Sequence, residues 1–436
     1  MTPAAQLQAV IELITHYEQG KADGYRTGAD VSFAYFVKQR RYIGAKDKKA
    51  IARLFYYILR HQASLIWWAS QHNMTANARL KTLLGALFLD NLPAQRIDAL
   101  CGEDKYAPKA LSDKDRALLD DCAAHGRLFH DTMPEPARYN APDWIIKKLR
   151  KHYGDETLPI LEALMQEAPI DIRVNIVKTN RETVLDILRK AGIDAEPTVY
   201  AAYGIRIKQR VALHTLDAFH AGLFDVQDEG SQLLASIVNA TPKQRVIDFC
   251  AGAGGKTLAI AAHMQNKGKI LAWDVHAKRM KDLPKRLKRA GIDNVEVRQI
   301  AHEHDAYIKR HKHSADWVLV DAPCSGTGTW RRNPDARWNI TKEEVHDLTA
   351  LQLSILESAA RLVKDGGALV YGTCSLLPEE NNQLVEHFLK KHPHFSLEPP
   401  VNFPIKCDSM IALTPYHHHT DGFFAAILRK NSKNTV

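Results

Sequence analysis

Residues 246–257 read VIDFCAGAGGKT, and the apolar, alanine-rich stretch LAIAAHM follows. An apolar run, a glycine-rich turn and a helical pattern make a strand–turn–helix unit. Two familiar phosphate motifs fall short here. A P-loop would need glycine where Cys250 stands, and a dinucleotide fingerprint would need glycine where Thr257 stands. Glycines at 252, 254 and 255 still let backbone approach a ligand closely, and a helix N-terminus favours a carboxylate or phosphate. Asp274 closes the next apolar run, ILAWD, at the distance where an acid holds a ribose hydroxyl. Turn and acid together indicate an adenosine-type cofactor. They do not separate a nicotinamide cofactor from S-adenosylmethionine.

From about residue 221 the same alternation continues. Strands are predicted at RVIDFC, KILAWD, VEVRQI, DWVLVDA, GALVYGT and DGFFAAIL. Helices are predicted at 256–266, at 276–290 with a break at Pro284, and at 343–364. Apolar strands alternating with helices give an α/β domain with a mainly parallel sheet covered on both faces. Ligands bind such sheets at the carboxyl ends of their strands.

Upstream the pattern differs. Residues 1–132 read as an all-helical N-terminal domain, with Ile51, Leu54, Phe55, Ile58 and Leu59 at helical spacing. Residues 133–141, rich in proline, read as a linker. Residues 142–220 mix helices (DWIIKKLRKHYG, RETVLDILRKAGI) with strands (IDIRVNIVK, GIRIKQ) as a small α+β domain. The fourth segment is 221–436.

The 436 residues are 45% hydrophobic and 25% charged, values of an ordinary globular protein. No apolar run is long enough for a transmembrane helix, and the start lacks a secretory pattern, so a cytoplasmic protein is expected. The six cysteines form no CxxC, which argues against a zinc ribbon or a redox pair and for reduced thiols. HEH (302–304), HKH (311–313) and HHH (417–419) lie in polar stretches and read as solvated loops, so no metal is expected. The net charge of +9 suits a nucleic-acid partner and equally suits solvated lysine faces.

Two of the cysteines stand out. DWVLVDAPCSGTG ends a strand with Asp321, Pro323 and Cys324 at the binding edge, and GALVYGTCSLLPEEN ends the next with Cys374. Ser375, Pro378, Glu379 and Glu380 then read as a helix start. If the strands are neighbours, both thiols face one pocket. A lone cysteine is more often a small buried hydrophobe. Two at successive strand ends, each before a polar turn, favour chemistry, since a thiolate is a strong nucleophile. Methylation at C5 of cytosine needs this set: a thiolate adds to C6, C5 becomes enamine-like, the methyl group is taken up, and a base removes the C5 proton.

These motifs closely resemble the RsmB/Sun family of bacterial RNA cytosine-5 methyltransferases. DFCAGAGGKT resembles its cofactor turn, with Ala253 where proline usually stands. DAPCSGTGTWRRNPDARW and YGTCSLLPEEN resemble its catalytic motifs, TDGFFAAILRK its closing strand, FDVQDEGSQL the entry to its catalytic domain and IDIRVN its preceding small domain. The resemblance implies a Rossmann-like class I methyltransferase domain that uses S-adenosylmethionine. It implies that Cys374 attacks C6, that Cys324 assists proton removal and product release, and that Asp321 faces the base and the methyl donor. It further implies that Cys250, Ala251, Gly252, Ala253, Gly254, Gly255 and Lys256 wrap the methionine end, that Asp274 binds the ribose, and that Arg331, Arg332 and Arg337 contact RNA phosphate. The family's acid near the adenine falls at Ala301 here; His302, Glu303 and Asp305 are the candidates to replace it, and that contact is left unassigned. KDKKAIARLFYYILRH is similar to the NusB-like helical domain of some of these enzymes, which implies RNA binding; a plain packed helical domain is the alternative reading. The expected protein is a monomer acting on rRNA, with tRNA as the alternative substrate. A noncatalytic ribosome-assembly factor and a nicotinamide dehydrogenase are the competing classes. Both cysteines with Asp321 oppose the former, and the incomplete fingerprint opposes the latter.

Overall fold

A computed structural model describes residues 1–24, 28–102 and 104–432. Contacts divide the chain into two compact units, Met1–Gln166 with Trp330–Asn339, and Glu167–Thr329 with Ile340–Val436.

The first unit is helical. Pro3–Ala22, Ala45–Arg60 and Ala78–Asp90 are long helices. Thr2 and Asn77 cap two of them with their side chains, accepting from Ala5 N and Leu80 N. Leu13, Ile14, Ile51, Phe55 and Leu83 pack into one core. The stretch expected to be a linker, 133–141, is part of this unit. It contains the helix Glu135–Arg138 and buries Ala137, Asn140 and Ala141. Its two prolines and the one just after it are helix-start residues: Pro134 and Pro142 are N-caps and Pro136 occupies the first turn, where a missing N–H costs nothing. Helices Asp143–Tyr153 and Thr157–Leu164 also belong to this unit, so the expected boundary at 141 moves to 166.

The second unit contains two sheets. The small one is antiparallel, ordered β2–β3–β1–β4, with β1 Ile170–Val174, β2 Ala195–Pro197, β3 Gly204–Ile207 and β4 Phe224–Val226. Helix Arg181–Lys190 packs Val184 and Leu188 against it. β4 lies beyond the expected limit of 220, because its partner β1 comes from far earlier in the chain.

The large sheet is ordered β10–β12–β9–β8–β5–β6–β7, with β11 paired to β12. β5 is Arg245–Asp248, β6 Lys269–Asp274, β7 Val295–Gln299, β8 Ala315–Asp321 and β9 Val363–Thr373. These five run parallel, while β10 Phe395–Glu398, β11 Met410–Leu413 and β12 Phe423–Lys430 add antiparallel pairings at one side. Successive residues of β5 enter opposite cores, Val246 with Ile260 and Leu283, and Ile247 with Leu356 and Phe388. β5 is flanked by β6 on one side and β8 on the other, so the order reverses beside it. Such a switch point opens a crevice at the strand ends. The helix expected over 276–290 is split into Ala277–Met280 and Leu283–Ala290, with Pro284 in the first turn of the second.

Candidate active site

A cavity of about 730 Å³ opens where β5, β6, β7, β8 and β9 end. Of the residues expected to bind cofactor or act in catalysis, Cys250, Ala251, Gly252, Ala253, Gly255, Lys256, Asp274, Asp321, Cys324 and Cys374 all line it. Gly254 does not. It caps helix Gly255–His263 in the left-handed conformation, φ +79, and a Cβ there would lie 2.1 Å from Leu283 Cδ1. Its glycine serves helix packing rather than ligand contact.

The turn is held from several sides. Gly252, at φ +53, donates its N–H to Asp274 Oδ2 at 2.8 Å, and His276 N donates to Asp274 Oδ1 at 2.7 Å. Arg286 donates to the Ala253 carbonyl at 2.5 Å, and Arg173 of β1 to the Gly255 carbonyl at 2.6 Å. Asp248, at the end of β5, accepts from Thr257 Oγ1 at 2.6 Å through Oδ2, while its buried Oδ1 has no hydrogen-bond partner. Burial, reinforced by Asp321 and only partly offset by Thr257, pushes the Asp248 carboxyl up to about 7.

β8 and β9 are paired with Asp321 opposite Gly372, which brings the two cysteine loops together. Cys324 Sγ and Cys374 Sγ are 3.4 Å apart. The hydrogen bond with Cys374, then burial, then neighbouring negative charge push the Cys324 thiol well above its ordinary range. Lys256 Nζ donates to Asp321 Oδ2 at 2.6 Å. Burial opposes the Lys256 ammonium, yet Asp321 outweighs it and holds the lysine above its usual range. Burial, with Asp248, Asp274 and Asp321 nearby, keeps the Cys250 thiol protonated.

The structure corrects the reading of the arginine loop. Arg337 is completely buried, donating to the carbonyls of Asn140 at 3.0 Å and Leu164 at 3.2 Å. Arg331 is also buried, at 6% exposure. Neither is free to meet phosphate, and Arg332 is half-buried. All three lie in the first unit. At the position of the missing acid, Ala301, His302 and Glu303 line the cavity. Asp305 instead accepts from Ala301 N and Tyr307 N and so shapes its own loop.

Three features escaped the sequence reading. Asp248 looked like an ordinary strand residue, and only its unpartnered oxygen distinguishes it. Leu348, Leu351 and Ile355 give the cavity an apolar wall from helix Lys342–Ala360, with no local motif to mark them. Glu380, read as a helix-start acid, is fully buried beneath the cysteine loops.

A family model described as 16S rRNA methyltransferase RsmB/F matches residues 235–429, and a second, the ferredoxin-like domain of RsmF/B-like methyltransferases, matches 141–214. The chain is 35% identical over 301 residues to the probable ribosomal RNA small subunit methyltransferase B of Synechocystis sp., covering 67% of each. It is 31% identical over 399 residues to the ribosomal RNA small subunit methyltransferase B of Proteus mirabilis, covering 89% of this chain and 92% of that one. The crystal structure of PH0851 matches with a TM-score of 0.77 at 29% identity, over 99% of each chain. Motifs, sheet order and relatives agree: the chain belongs to the RsmB/F methyltransferase family.

Proposed function

We propose that this RNA methyltransferase transfers a methyl group from S-adenosylmethionine to C5 of a cytosine in rRNA, through a covalent adduct between Cys374 and C6. The observation that carries the reading is the pair of thiols 3.4 Å apart at the edge of the cavity.

The residues present suit the cofactor. Asp274, already fixed by two backbone N–H groups, is placed to bind a ribose. The unpartnered Oδ1 of Asp248 is a buried acceptor suited to a cationic amine. Beside Gly252 a Cβ would meet only Asp274 Oδ2, at 4.0 Å, so the turn leaves room for a ligand. When bound, S-adenosylmethionine supplies an electrophilic methyl group. Cys374 contributes the electron pair that forms the S–C6 bond and makes C5 nucleophilic. Asp321, oriented by Lys256, faces the base and stabilises the adduct. After C5 gains its methyl group, solvent water acting as base takes the C5 proton, and Cys324 assists release by offering its S–H to the departing Cys374 sulfur. The electrons of that C–H bond restore the C5–C6 double bond, and Cys374 leaves as thiolate.

The helical unit is assigned a share in RNA binding. Lys38, Arg41 and Tyr42 are exposed together on it, and Tyr42 is 68% exposed. Arg332 keeps its assignment to phosphate. The same reading makes it a cytoplasmic monomer.

Bisulfite sequencing of rRNA and tRNA from a deletion strain tests the substrate. The expected result is loss of 5-methylcytosine at an rRNA position and its restoration by purified enzyme with S-adenosylmethionine. Loss confined to tRNA would replace rRNA with tRNA, and no loss in either would overturn the reading.

A further inference from the structure

One carboxylate holds both thiol-bearing loops. Glu380 is fully buried. Its Oε1 accepts from Ser325 N at 2.8 Å and from Gln352 Nε2 at 3.0 Å. Its Oε2 accepts from Ser325 Oγ at 2.5 Å and from Ser375 Oγ. Ser325 directly follows Cys324, and Ser375 directly follows Cys374. The two hydroxyl oxygens are themselves 3.1 Å apart. A carboxylate offers about four acceptor sites, and here four neutral donors occupy them.

The surrounding bonds tighten the same joint. Gly328 N donates to the Cys374 carbonyl at 2.9 Å, and Leu376 N to Thr327 Oγ1 at 2.8 Å. Gln352 also donates to the Pro323 carbonyl at 2.9 Å, so one amide touches both Glu380 and the residue before Cys324. Burying a carboxylate against neutral groups is costly, and a residue kept only to fill space would be apolar.

We infer that Glu380 is a positioning residue that locks the Cys324 and Cys374 loops in register, so that the two thiols act as one pair. The role rests on the proposed reaction but acts through geometry that can be read without RNA. Its negative charge also adds to the influences that keep Cys324 protonated, after the bond to Cys374 and burial. Cys324 therefore remains a thiol, able to donate its hydrogen to a Cys374 thiolate.

Two measurements on the full-length protein test this. The first uses phenylarsine oxide, which bridges two adjacent thiols. Wild type should bind it, Cys374→Ala should not, and Glu380→Gln should bind it about tenfold more weakly. The second is steady-state methylation. Glu380→Gln should lower kcat by about 100-fold, as expected for a misplaced reacting group, with cofactor affinity changed less than about threefold. Ser375→Ala should show part of the same loss, and the double variant should lose less than the product of the two effects. If Glu380→Gln does not fold, Ser325→Ala and Ser375→Ala report on the same joint. Unchanged arsenical affinity with unchanged kcat in these variants overturns the positioning role. A wild type that methylates no cytosine, while arsenical bridging depends on Glu380, leaves the positioning role standing and removes the reaction.

Discussion

Cys374 and Cys324 touch, yet their surroundings assign them different work. Cys374 directly follows β9 and lines the cavity together with Lys256, which Asp321 fixes. Cys324 is held in the protonated form. Cys374→Ala should therefore abolish methyl transfer, because no neighbouring group replaces the sulfur; retained turnover in a radiolabelled methyl assay would contradict the assignment. Cys324→Ala should leave enzyme joined to RNA, seen as a band that survives denaturation. Asp248 gives a pH prediction. Its folded value of about 7 lies above the ordinary 3.8, so the folded state holds the proton more tightly than the unfolded chain. That contribution is fully present below about pH 4 and is lost as pH rises through about 7. Asp248→Asn should flatten the decline, which for wild type amounts to a few kcal/mol across the window. Urea unfolding at pH 5 and pH 8 measures it. Cofactor affinity by calorimetry should rise across the same window in wild type and stay flat in the variant.

At the scale of elements, the central strands were legible because buried parallel strands are continuous apolar runs, and β5, β6, β8 and β9 fit that description. The position of the pocket followed from the rule that such sheets bind ligands at the carboxyl ends of their strands. Short edge strands were not legible: β2, β4, β10 and β11 have three or four residues each and depend on distant partners. Glu380 was misread for a related reason. Its PEE context is that of a helix start, and a 3-10 turn does begin there, but the side chain turns inward to bonds that no local pattern encodes. The glycine turn separates residues that look alike in sequence. Gly254→Ala would force a left-handed alanine and bring its Cβ within 2.1 Å of Leu283 Cδ1. The expected loss is about 2 to 4 kcal/mol in urea unfolding. Gly252→Ala meets only Asp274 Oδ2, at an ordinary 4.0 Å, and should lose only the cost of a left-handed backbone, about 1 to 2 kcal/mol. Equal losses at both positions would show that the Leu283 contact is unimportant.

Across the whole molecule, the helical unit is discontinuous in sequence: it includes Trp330–Asn339, which overlaps the end of the stretch resembling the catalytic motif. That is why Arg331 and Arg337 of RRNPDARW misled. A basic loop after a catalytic cysteine reads as a phosphate contact, and nothing local reports that Trp330 and Arg337 are fully buried. The Arg337 guanidinium joins the carbonyls of Asn140, Leu164 and Trp330, and its centre lies 5.3 Å from the Trp330 ring. Asp335 accepts from Tyr17 Oη at 3.3 Å and Ala29 N at 3.1 Å. Burial, then the charge of Arg60, lower the Arg337 guanidinium to about 9, which leaves it a cation at neutral pH. Its role is thus to satisfy buried carbonyls from two helix ends and its own loop. Arg337→Ala removes the donors and leaves those acceptors unpaired, so the protein should lose roughly 3 kcal/mol of stability. Arg337→Lys should recover little, because an ammonium cannot reproduce the planar fork that reaches separate carbonyls. Urea unfolding followed by tryptophan fluorescence measures both, and an unchanged midpoint in Arg337→Ala would return this side chain to the surface and to RNA.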